Sequence, residues 1–203
     1  MTIDEGYIKY TNDWTPGPPP DSVATELLNR WRRRLHAARL IGFYTDLKIG
    51  YGNVSIRCGK PGQFIISGSQ TGFHAETDGR HYALVTEYDI GANRVSSTGP
   101  VQASSEALTH AALYELSDDI NAVVHVHSAS LWTKLKHRIP TTSKSVAYGT
   151  PEMAHEFQRL YEETEFSDFR IAVMAGHEDG LVCMGETLEE TAQRVLRLVE
   201  QPR

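Results

Sequence analysis

The chain has 203 residues, 40% of them hydrophobic and 23% charged, which is typical of one globular domain with a substantial core. Its 20 Lys and Arg residues against 26 Asp and Glu residues give a formal net charge of −6, which argues against a general nucleic-acid-binding protein. The sequence contains no apolar run long enough to span a membrane, and its first residues are polar where a signal peptide would be apolar. It contains only two cysteines. We therefore expect a cytoplasmic protein without a membrane partner or a disulfide framework.

A proline-rich arm is predicted for residues 1–20, ahead of a single domain at residues 21–203. Pro16 and the three prolines at positions 18–20 exclude a helix beyond Pro16. The composition gives the arm little reason to join a core, so we expect it to be either disordered or docked across a surface, including that of a neighbouring subunit.

A first helix is predicted from about Val23 to Leu40, because apolar residues recur there at three- and four-residue spacing. Asp21 or Ser22 can cap its start, and Gly42 is expected to end it. Four arginines within this helix form a local basic cluster, which we interpret as a solvated face: Arg30, Arg32, Arg33 and Arg34.

Strand patterns follow. The segments 50–57 and 63–67 predict a hairpin across the turn at residues 59–62, and further strands are expected at about 82–88 and 94–97. The hairpin leads into the loop 68–72, whose small residues offer backbone N–H groups and hydroxyls that can converge on an anion. A loop of this composition is more often only a turn, so both interpretations stay open.

A helical stripe runs from Ala107 to Leu116, directly after Ser104, Ser105 and Glu106. Serine is a favoured helix cap, and a glutamate in the first turn interacts favourably with the helix dipole. Glu106 therefore has a purely structural explanation as well as a chemical one, as an acid or base.

Residues 121–128 form a predicted buried strand that contains His125 and His127. Residues two apart on a strand share a face, so the two imidazoles emerge side by side, as half of a transition-metal site requires. The alternative is that one histidine is satisfied by a backbone carbonyl and the other is exposed by chance.

The rest of the chain is predicted to contain helices at 131–138, 151–162 and 187–199 and an antiparallel pair of strands at 170–175 and 181–184. Thr150 is expected to cap the second of these helices, with Pro151 at its first position. His177 lies in the turn of that pair and is the candidate third ligand. Three histidines that leave one coordination position open are typical of a catalytic metal site. Imidazole ligands suit several divalent ions, Zn²⁺, Mn²⁺, Co²⁺ and Ni²⁺ among them, so the sequence does not reveal which metal binds.

Four separated motifs occur in the order seen in class II aldolases and adducins. They are Gly52-Asn53-Val54-Ser55, Ser104-Ser105-Glu106 before a helix, His125-Val126-His127, and His177 ahead of Gly180-Leu181-Val182. The chain resembles this family over about residues 22 to 200. The resemblance implies a three-layer α/β/α fold, with a mostly antiparallel central sheet flanked by helices, and a homotetramer.

The resemblance also implies roles for individual residues. His125, His127 and His177 match the metal ligands of the sugar-phosphate aldolases, and Glu106 matches their catalytic acid/base. The residues that match the phosphate site are Gly52, Asn53, Thr71, Gly72, Ser104 and Ser105. The loop 67–72 is longer than the family's usual version, so Ser69 competes with Thr71 for the phosphate role.

The function that these residues imply is a metal-dependent lyase acting on a small hydroxy-carbonyl compound, such as a sugar phosphate. A divalent ion stabilises the enediolate that retro-aldol cleavage leaves, and a nearby carboxyl group moves the proton. The interval from Pro140 to Gly149 lacks the segment that carries the family's catalytic tyrosine, with Tyr148 as a possible substitute. The alternatives are an epimerase, a dehydratase or a decarboxylase on the same scaffold, and a non-catalytic adducin-type interaction module.

Overall fold

The computed structural model describes residues 6–200, which form an eight-stranded sheet with helices on both faces. The strands, in chain order, are β1 (Thr11–Pro16), β4 (Asn53–Arg57), β5 (Phe64–Ser67), β6 (Tyr82–Asp89), β7 (Arg94–Gly99), β8 (Ala122–His127), β9 (Ile171–Val173) and β10 (Gly180–Gly185). Their spatial order is β1-β7-β6-β5-β4-β8-β10-β9. Every pairing is antiparallel except β1 with β7, so the predicted mostly antiparallel α/β/α fold is confirmed.

The helices divide between the two faces because each face of the sheet carries its own apolar core. The helices are α1 (Ser22–Ala37), α2 (Ala107–Glu115), α3 (Ala129–Leu135), α4 (Pro151–Glu163), α5 (Phe166–Phe169) and α6 (Leu188–Glu200). Helices α2, α4 and α5 pack on one face, and α1, α3 and α6 pack on the other. Strand β8 lies between these layers and is buried along its whole length.

A separate two-stranded ribbon precedes β4. It consists of β2 (Gly42–Tyr44) and β3 (Ile49–Tyr51). The ribbon was not predicted, because each of its strands has only three residues, too few for an alternating pattern to be recognised. Gly42 therefore begins a strand and does not end the first helix, which stops at Ala37 ahead of a left-handed residue at Arg39.

Part of the N-terminal arm belongs to the main sheet. Thr11–Pro16 pairs in parallel with β7 of the same chain, at the outer edge, where a proline does not interrupt the hydrogen bonding. Tyr10 lies in the core, and its hydroxyl donates to the carbonyl of Ser104 at 2.9 Å. The expectation that this arm contributes little to a core was wrong for Tyr10. Residues 1–5 lie outside the described part of the chain.

The arginine cluster on α1 does not form one solvated face. Arg33 and Arg34 are exposed, as expected, but Arg32 retains only 1% of its accessible surface. The helical period places Arg32 one residue after the buried Trp31 and three residues before the buried Leu35. Its side chain is covered by the segment from Thr71 to His74, whose carbonyls accept its hydrogen bonds, so the predicted exposure was wrong for this residue.

The remaining predictions differ from the structure mainly at element ends. The hairpin of β4 and β5, the antiparallel pair of β9 and β10, and the Thr150 cap of α4 are confirmed. The serine cap of α2 is wrong, because Glu106 occupies the cap position and no side chain caps the helix. None of the helices within residues 6–200 combines the length and the apolar character that a membrane span requires.

The Tyr10 hydroxyl gives a test of the docked arm. We expect Tyr10→Phe to lower the free energy of unfolding by about 1 kcal/mol, because it removes a buried hydrogen-bond donor from the Ser104 carbonyl. Urea denaturation followed by circular dichroism measures the change. Tyr7→Phe is the matched control, since the Tyr7 side chain is 63% exposed and its loss of a hydroxyl is expected to have no effect. Equal stability of the two variants would contradict the role of Tyr10.

Candidate metal centre and anion pocket

The three candidate histidine ligands meet at one end of the buried strand β8. His125 and His127 alternate with apolar residues along β8, and Gly180, the first residue of β10, pairs with His127. His177 is positioned by a tight turn just before β10, in which its N–H donates to Met174 and its carbonyl accepts from Gly180. The turn thus places the imidazole of His177, the candidate third ligand, beside the first two.

The Nε2 atoms of the three rings converge. The distance from His125 Nε2 to His127 Nε2 is 3.1 Å, and that from His127 Nε2 to His177 Nε2 is also 3.1 Å. All three ligand atoms lie within 4.8 Å of one another. Nitrogen atoms bound tetrahedrally to one Zn²⁺ are separated by about 3.4 Å. The two 3.1 Å separations are close to this value, so the three nitrogens could act as ligands of a single divalent ion.

The hydrogen bonds of the other ring nitrogens favour metal binding. His125 Nδ1 lies 3.1 Å from the carbonyl oxygen of Leu181, which can only accept, so Nδ1 carries the proton and Nε2 presents its lone pair. His127 Nδ1 lies 3.2 Å from the hydroxyl of Tyr44, which can accept the equivalent bond. Partners of this kind set the tautomer and orientation of metal-binding histidines.

Burial keeps these histidines neutral. Loss of water lowers the pKa of His125 to about 4 and lowers the pKa values of His127 and His177 well below the ordinary range. Neighbouring imidazoles lower the pKa of His127 and His177 further, because a second positive charge in the cluster is unfavourable. Neutral imidazole is the form that binds a metal ion.

Glu106 is the carboxyl group nearest to the cluster. Its Oε1 atom lies 3.3 Å from His177 Nε2 and 3.8 Å from His125 Nε2, and the side chain is 2% exposed. Neither carboxylate oxygen accepts a hydrogen bond of standard geometry from the described residues. Burial raises the pKa of Glu106 to about 7, and the Thr109 hydroxyl and the Lys9 charge oppose this rise by less. Glu106 thus combines the position before helix α2 with a carboxyl group that is buried against the histidine cluster.

Tyr148 lies beside the cluster with its hydroxyl already engaged. Its ring centroid is 4.4 Å from that of His177, and its hydroxyl hydrogen-bonds with the backbone N–H of Tyr7 at 3.1 Å and the backbone carbonyl of Tyr7 at 3.3 Å. The Lys9 ammonium lies 3.7 Å from the centroid of the same ring. The N-terminal segment therefore packs next to the histidines, which the sequence did not predict.

A small pocket lies next to the histidine cluster and contains every residue predicted to bind phosphate. Its lining includes Gly52, Asn53, Ser69, Thr71, Gly72, Ser104 and Ser105. Glycine is required at two of these positions. Gly52 has a φ of +74°, and a Cβ atom on Gly72 would lie 2.0 Å from the carbonyl oxygen of Gly42. The close approach of the loop 68–72 to the ribbon of β2 and β3 thus shapes the pocket.

The hydroxyls of the pocket differ in their present partners. Thr71 donates its hydroxyl proton to the Gly68 carbonyl at 2.9 Å, whereas Ser104 Oγ accepts from the Glu106 N–H at 3.3 Å. Ser104 thus keeps its hydroxyl proton for a ligand. One atom of the buried Asn53 amide, Oδ1, has no hydrogen-bond partner among the described residues. The Ser104 hydroxyl and the Asn53 amide oxygen therefore both face this pocket with hydrogen-bonding capacity to spare.

Sequence reasoning missed two residues of this site. Tyr44 was not recognised, because its contact with His127 depends on the short ribbon of β2 and β3. Gly6 lines the pocket, and its carbonyl accepts from the Gln70 side chain at 3.3 Å. The sequence signal for Tyr44 was the pair of tyrosines at positions 44 and 51. In the structure their rings pack at a tilt, with centroids 4.5 Å apart.

Known proteins resemble this chain in sequence and in fold. The family model described as "Class II Aldolase and Adducin N-terminal domain" matches residues 32–201. An L-fuculose phosphate aldolase from Methanocaldococcus jannaschii is 28% identical over 163 residues, which cover 74% of this chain and 81% of the relative.

Solved structures show the same fold. A sugar-phosphate aldolase from Thermotoga maritima superposes with a TM-score of 0.67 at 15% identity, covering 88% of this chain and 91% of the other. An L-fuculose 1-phosphate aldolase superposes with a TM-score of 0.64 at 19% identity, covering 90% of this chain and 85% of the other.

The contact between Tyr44 and His127 generates a prediction about metal affinity. We expect Tyr44→Phe to weaken Zn²⁺ binding about tenfold, because it removes the hydrogen-bond partner that orients the ring of His127. Competition with a chromogenic chelator measures the affinity. Tyr51→Phe is the matched control, since the Tyr51 ring also packs on His127 but its hydroxyl faces the Arg39 carbonyl. Unchanged affinity in Tyr44→Phe would refute this role.

The buried histidines generate a prediction about pH and stability in metal-free protein. A histidine with a lowered folded-state pKa contributes stability above the unfolded-state pKa of about 6.5 that is lost as the pH falls. For His125, with a folded-state pKa of about 4, the loss over this window is about 3 kcal/mol. Glu106 acts in the opposite direction, since its pKa is raised to about 7, so its charged form costs stability as the pH rises from about 4.5 to 7.

Urea unfolding of chelator-treated protein between pH 4 and pH 7 measures this dependence. The net expectation is a marked loss of stability below pH 6.5, because burial lowers the pKa of His110, His127 and His177 as well as that of His125. His125→Asn is expected to flatten the dependence, and the exposed His155, changed to Gln, is the control. A parallel dependence in His125→Asn and the wild type would contradict the prediction.

Proposed function

The chain belongs to the class II aldolase and adducin family, and on this premise we propose that it is a divalent-metal-dependent lyase. The proposed substrate is a small hydroxy-carbonyl compound that carries a phosphate, such as a sugar phosphate. The convergence of three neutral histidine nitrogens beside the Glu106 carboxyl, next to a pocket of polar donors, is the main support. The name of the M. jannaschii relative, an L-fuculose phosphate aldolase, supports the same substrate class.

The metal ligands in this proposal are His125, His127 and His177, and Zn²⁺ is the first choice, with Mn²⁺, Co²⁺ and Ni²⁺ as alternatives. A divalent ion supplies Lewis-acid stabilisation of the negative charge that develops on the substrate oxygens. The protein contributes the orientation of the three rings through the Leu181 carbonyl and the Tyr44 hydroxyl.

Glu106 is the proposed catalytic acid and base. Cleavage of the carbon–carbon bond removes the proton of the hydroxyl group beside that bond and later adds a proton to the carbon that is left behind. A carboxyl group with a pKa of about 7 can take up and release a proton near neutral pH. Its Oε1 atom, 3.3 Å from His177 Nε2, is placed to exchange that proton with a substrate held at the cluster.

The phosphate group is proposed to bind in the adjoining pocket. Ser104 and Ser105 lie directly before α2, whose N-terminal end carries partial positive charge, and the loop 68–72 faces them across the pocket. Within this loop both Ser69 and Thr71 line the pocket, so both stay in the proposed phosphate site. The separation of an anion pocket from a metal cluster suits a substrate with a phosphate at one end and a carbonyl at the other.

Epimerisation, dehydration and decarboxylation remain alternative reactions on the same scaffold. They are to be tested together with cleavage, because Tyr148 is the candidate substitute for the tyrosine that assists cleavage in the family. The hydroxyl of Tyr148 is bound to the backbone of Tyr7, so we assign it no proton transfer. The retained histidines and Glu106 support an enzyme over a non-catalytic interaction module. A homotetramer located in the cytoplasm is also part of the proposal.

The proposal predicts that Glu106→Gln separates metal binding from turnover. We expect the variant to retain its metal and to lose about 10²- to 10⁴-fold in rate, because Gln cannot exchange a proton. A screen of ketose and aldose phosphates and hydroxy acids, with Zn²⁺, Mn²⁺, Co²⁺ or Ni²⁺ added back, identifies the substrate, and analysis of the products by NMR identifies the reaction. The double variant His125→Ala/His127→Ala is expected to lose both the metal and the activity.

Two results would overturn the proposal. One is a metal content in the double histidine variant equal to that of the wild type. The other is an unchanged rate in Glu106→Gln on the substrate that the screen identifies.

A further inference from the structure

Arg32 is buried directly behind the anion pocket. Its side chain leaves helix α1 and reaches the loop that forms one wall of the pocket. Nη2 donates to the Thr71 carbonyl at 2.7 Å, and Nη1 donates to the His74 carbonyl at 2.6 Å. Both bonds are short, and the residue is only 1% exposed. The guanidinium group is therefore held against the backbone of Thr71, on the side of the loop that does not line the pocket.

No carboxylate of the described residues lies within ion-pair distance of Arg32, in contrast to the neighbouring Arg33, which pairs with Glu76. Burying a charge without a counter-charge is unfavourable, and burial accordingly lowers the pKa of Arg32. A guanidinium group still remains protonated at physiological pH. A permanent positive charge is thus kept in the interior, where two carbonyl dipoles are its partners.

The pocket in front of Arg32 lacks a positive charge of its own. It is lined by glycines and by neutral polar residues, with no Lys, Arg or His among the described lining residues. A phosphate monoester carries up to two negative charges at neutral pH, which neutral donors hold less tightly than a site that includes a cation. Thr71 connects Arg32 with the pocket, because its backbone carbonyl accepts a hydrogen bond from Arg32 and the residue lines the pocket.

We propose that Arg32 is a positioning residue that supplies the missing positive charge to the anion pocket from behind the loop 68–72. It does so without touching the phosphate itself. The proposal rests on the proposed function in one respect, namely that the pocket binds a phosphate group. A buried charge is poorly screened by salt, so it acts on an anion through the thickness of one backbone segment.

A purely structural role is the competing explanation, in which Arg32 only ties the turn between Thr71 and His74 to α1. Two substitutions separate the explanations when stability is measured beside phosphate affinity. Arg32→Lys keeps the charge but loses the two-pronged donor geometry, whereas Arg32→Gln loses the charge and, being shorter, cannot reach both carbonyls. An electrostatic role is preserved by Lys even where stability falls, whereas a purely structural role makes the phosphate affinity of both variants follow their stability.

Isothermal titration calorimetry with inorganic phosphate tests the proposal on the 203-residue chain. The titration is done on the protein as purified and again after chelator treatment, because removal of the metal eliminates phosphate binding to the metal itself. We expect Arg32→Lys to bind phosphate within about threefold of the wild type and Arg32→Gln to bind at least tenfold more weakly. Arg33→Gln is the matched control, since it removes a charge from the same helix but from a side chain that is 61% exposed, and it is expected to bind as the wild type does.

Stability measured by urea unfolding accompanies each titration, because a structural role would make phosphate affinity follow stability. Phosphate binding in Arg32→Gln equal to the wild type overturns the proposal, as does an affinity in Arg32→Lys as low as that in Arg32→Gln. If Arg32→Gln does not fold, Arg32→Lys decides alone, since a loss of more than tenfold in that variant overturns the role of the charge.

The outcomes also separate this proposal from the proposed function. If the wild-type protein does not bind phosphate, the anion pocket and the role of Arg32 are both wrong. If the wild-type protein binds phosphate and the variants follow the expected order while no carbon–carbon cleavage is found, the role of Arg32 stands and only the reaction is wrong.

Discussion

The exclusion of water from strand β8 is the constraint on which the site depends. The strand lies between β4 and β10 and is covered by helices on both faces, so His125 and His127 can reach solvent on neither side. An imidazole in such a position is kept neutral, and its ring nitrogens need partners. The Leu181 carbonyl satisfies one nitrogen of His125, and the remaining Nε2 atoms are directed toward one another. This arrangement is favourable when a cation lies between them.

The same exclusion of water accounts for the state of Glu106. A carboxyl group that is 2% exposed beside three neutral imidazoles loses its hydration and holds its proton more tightly, which raises its pKa toward neutrality. One physical cause thus gives the neutral histidines and the weakly acidic carboxyl that proton transfer near pH 7 requires. Among the described residues, Lys9 places a positive charge near Tyr148 and, in our proposal, Arg32 places one behind the loop 68–72.

The N-terminal segment joins these elements into one unit. Residues 6–10 contact the anion pocket through Gly6, the cluster through the pairing of Tyr7 with Tyr148, and the start of α2 through Tyr10. The family model begins at residue 32, so this segment and strand β1 lie outside the matched region. The surroundings of the site in this chain therefore include features that the family match does not describe.

The sequence by itself determined the elements whose pattern is local. Alternating or continuous apolar residues predicted β4, β8 and β10, the Thr150-Pro151 pair predicted the start of α4, and the motif order predicted the fold and the candidate ligands. Spacing along one strand was enough to put His125 and His127 on one face. The ribbon of β2 and β3, by contrast, was too short to give a pattern, and its contribution of Tyr44 was missed.

Only the tertiary structure decided what depends on distant residues coming together. His177 Nε2 and Glu106 Oε1 lie 3.3 Å apart, although the two residues are 71 positions apart in the chain. Arg32, which the sequence predicted to be exposed, is buried. Neither result follows from local pattern, because the burial of a residue depends on which segment packs over it. For Arg32 that segment is the turn from Thr71 to His74, whose carbonyls replace the water that a surface arginine would keep.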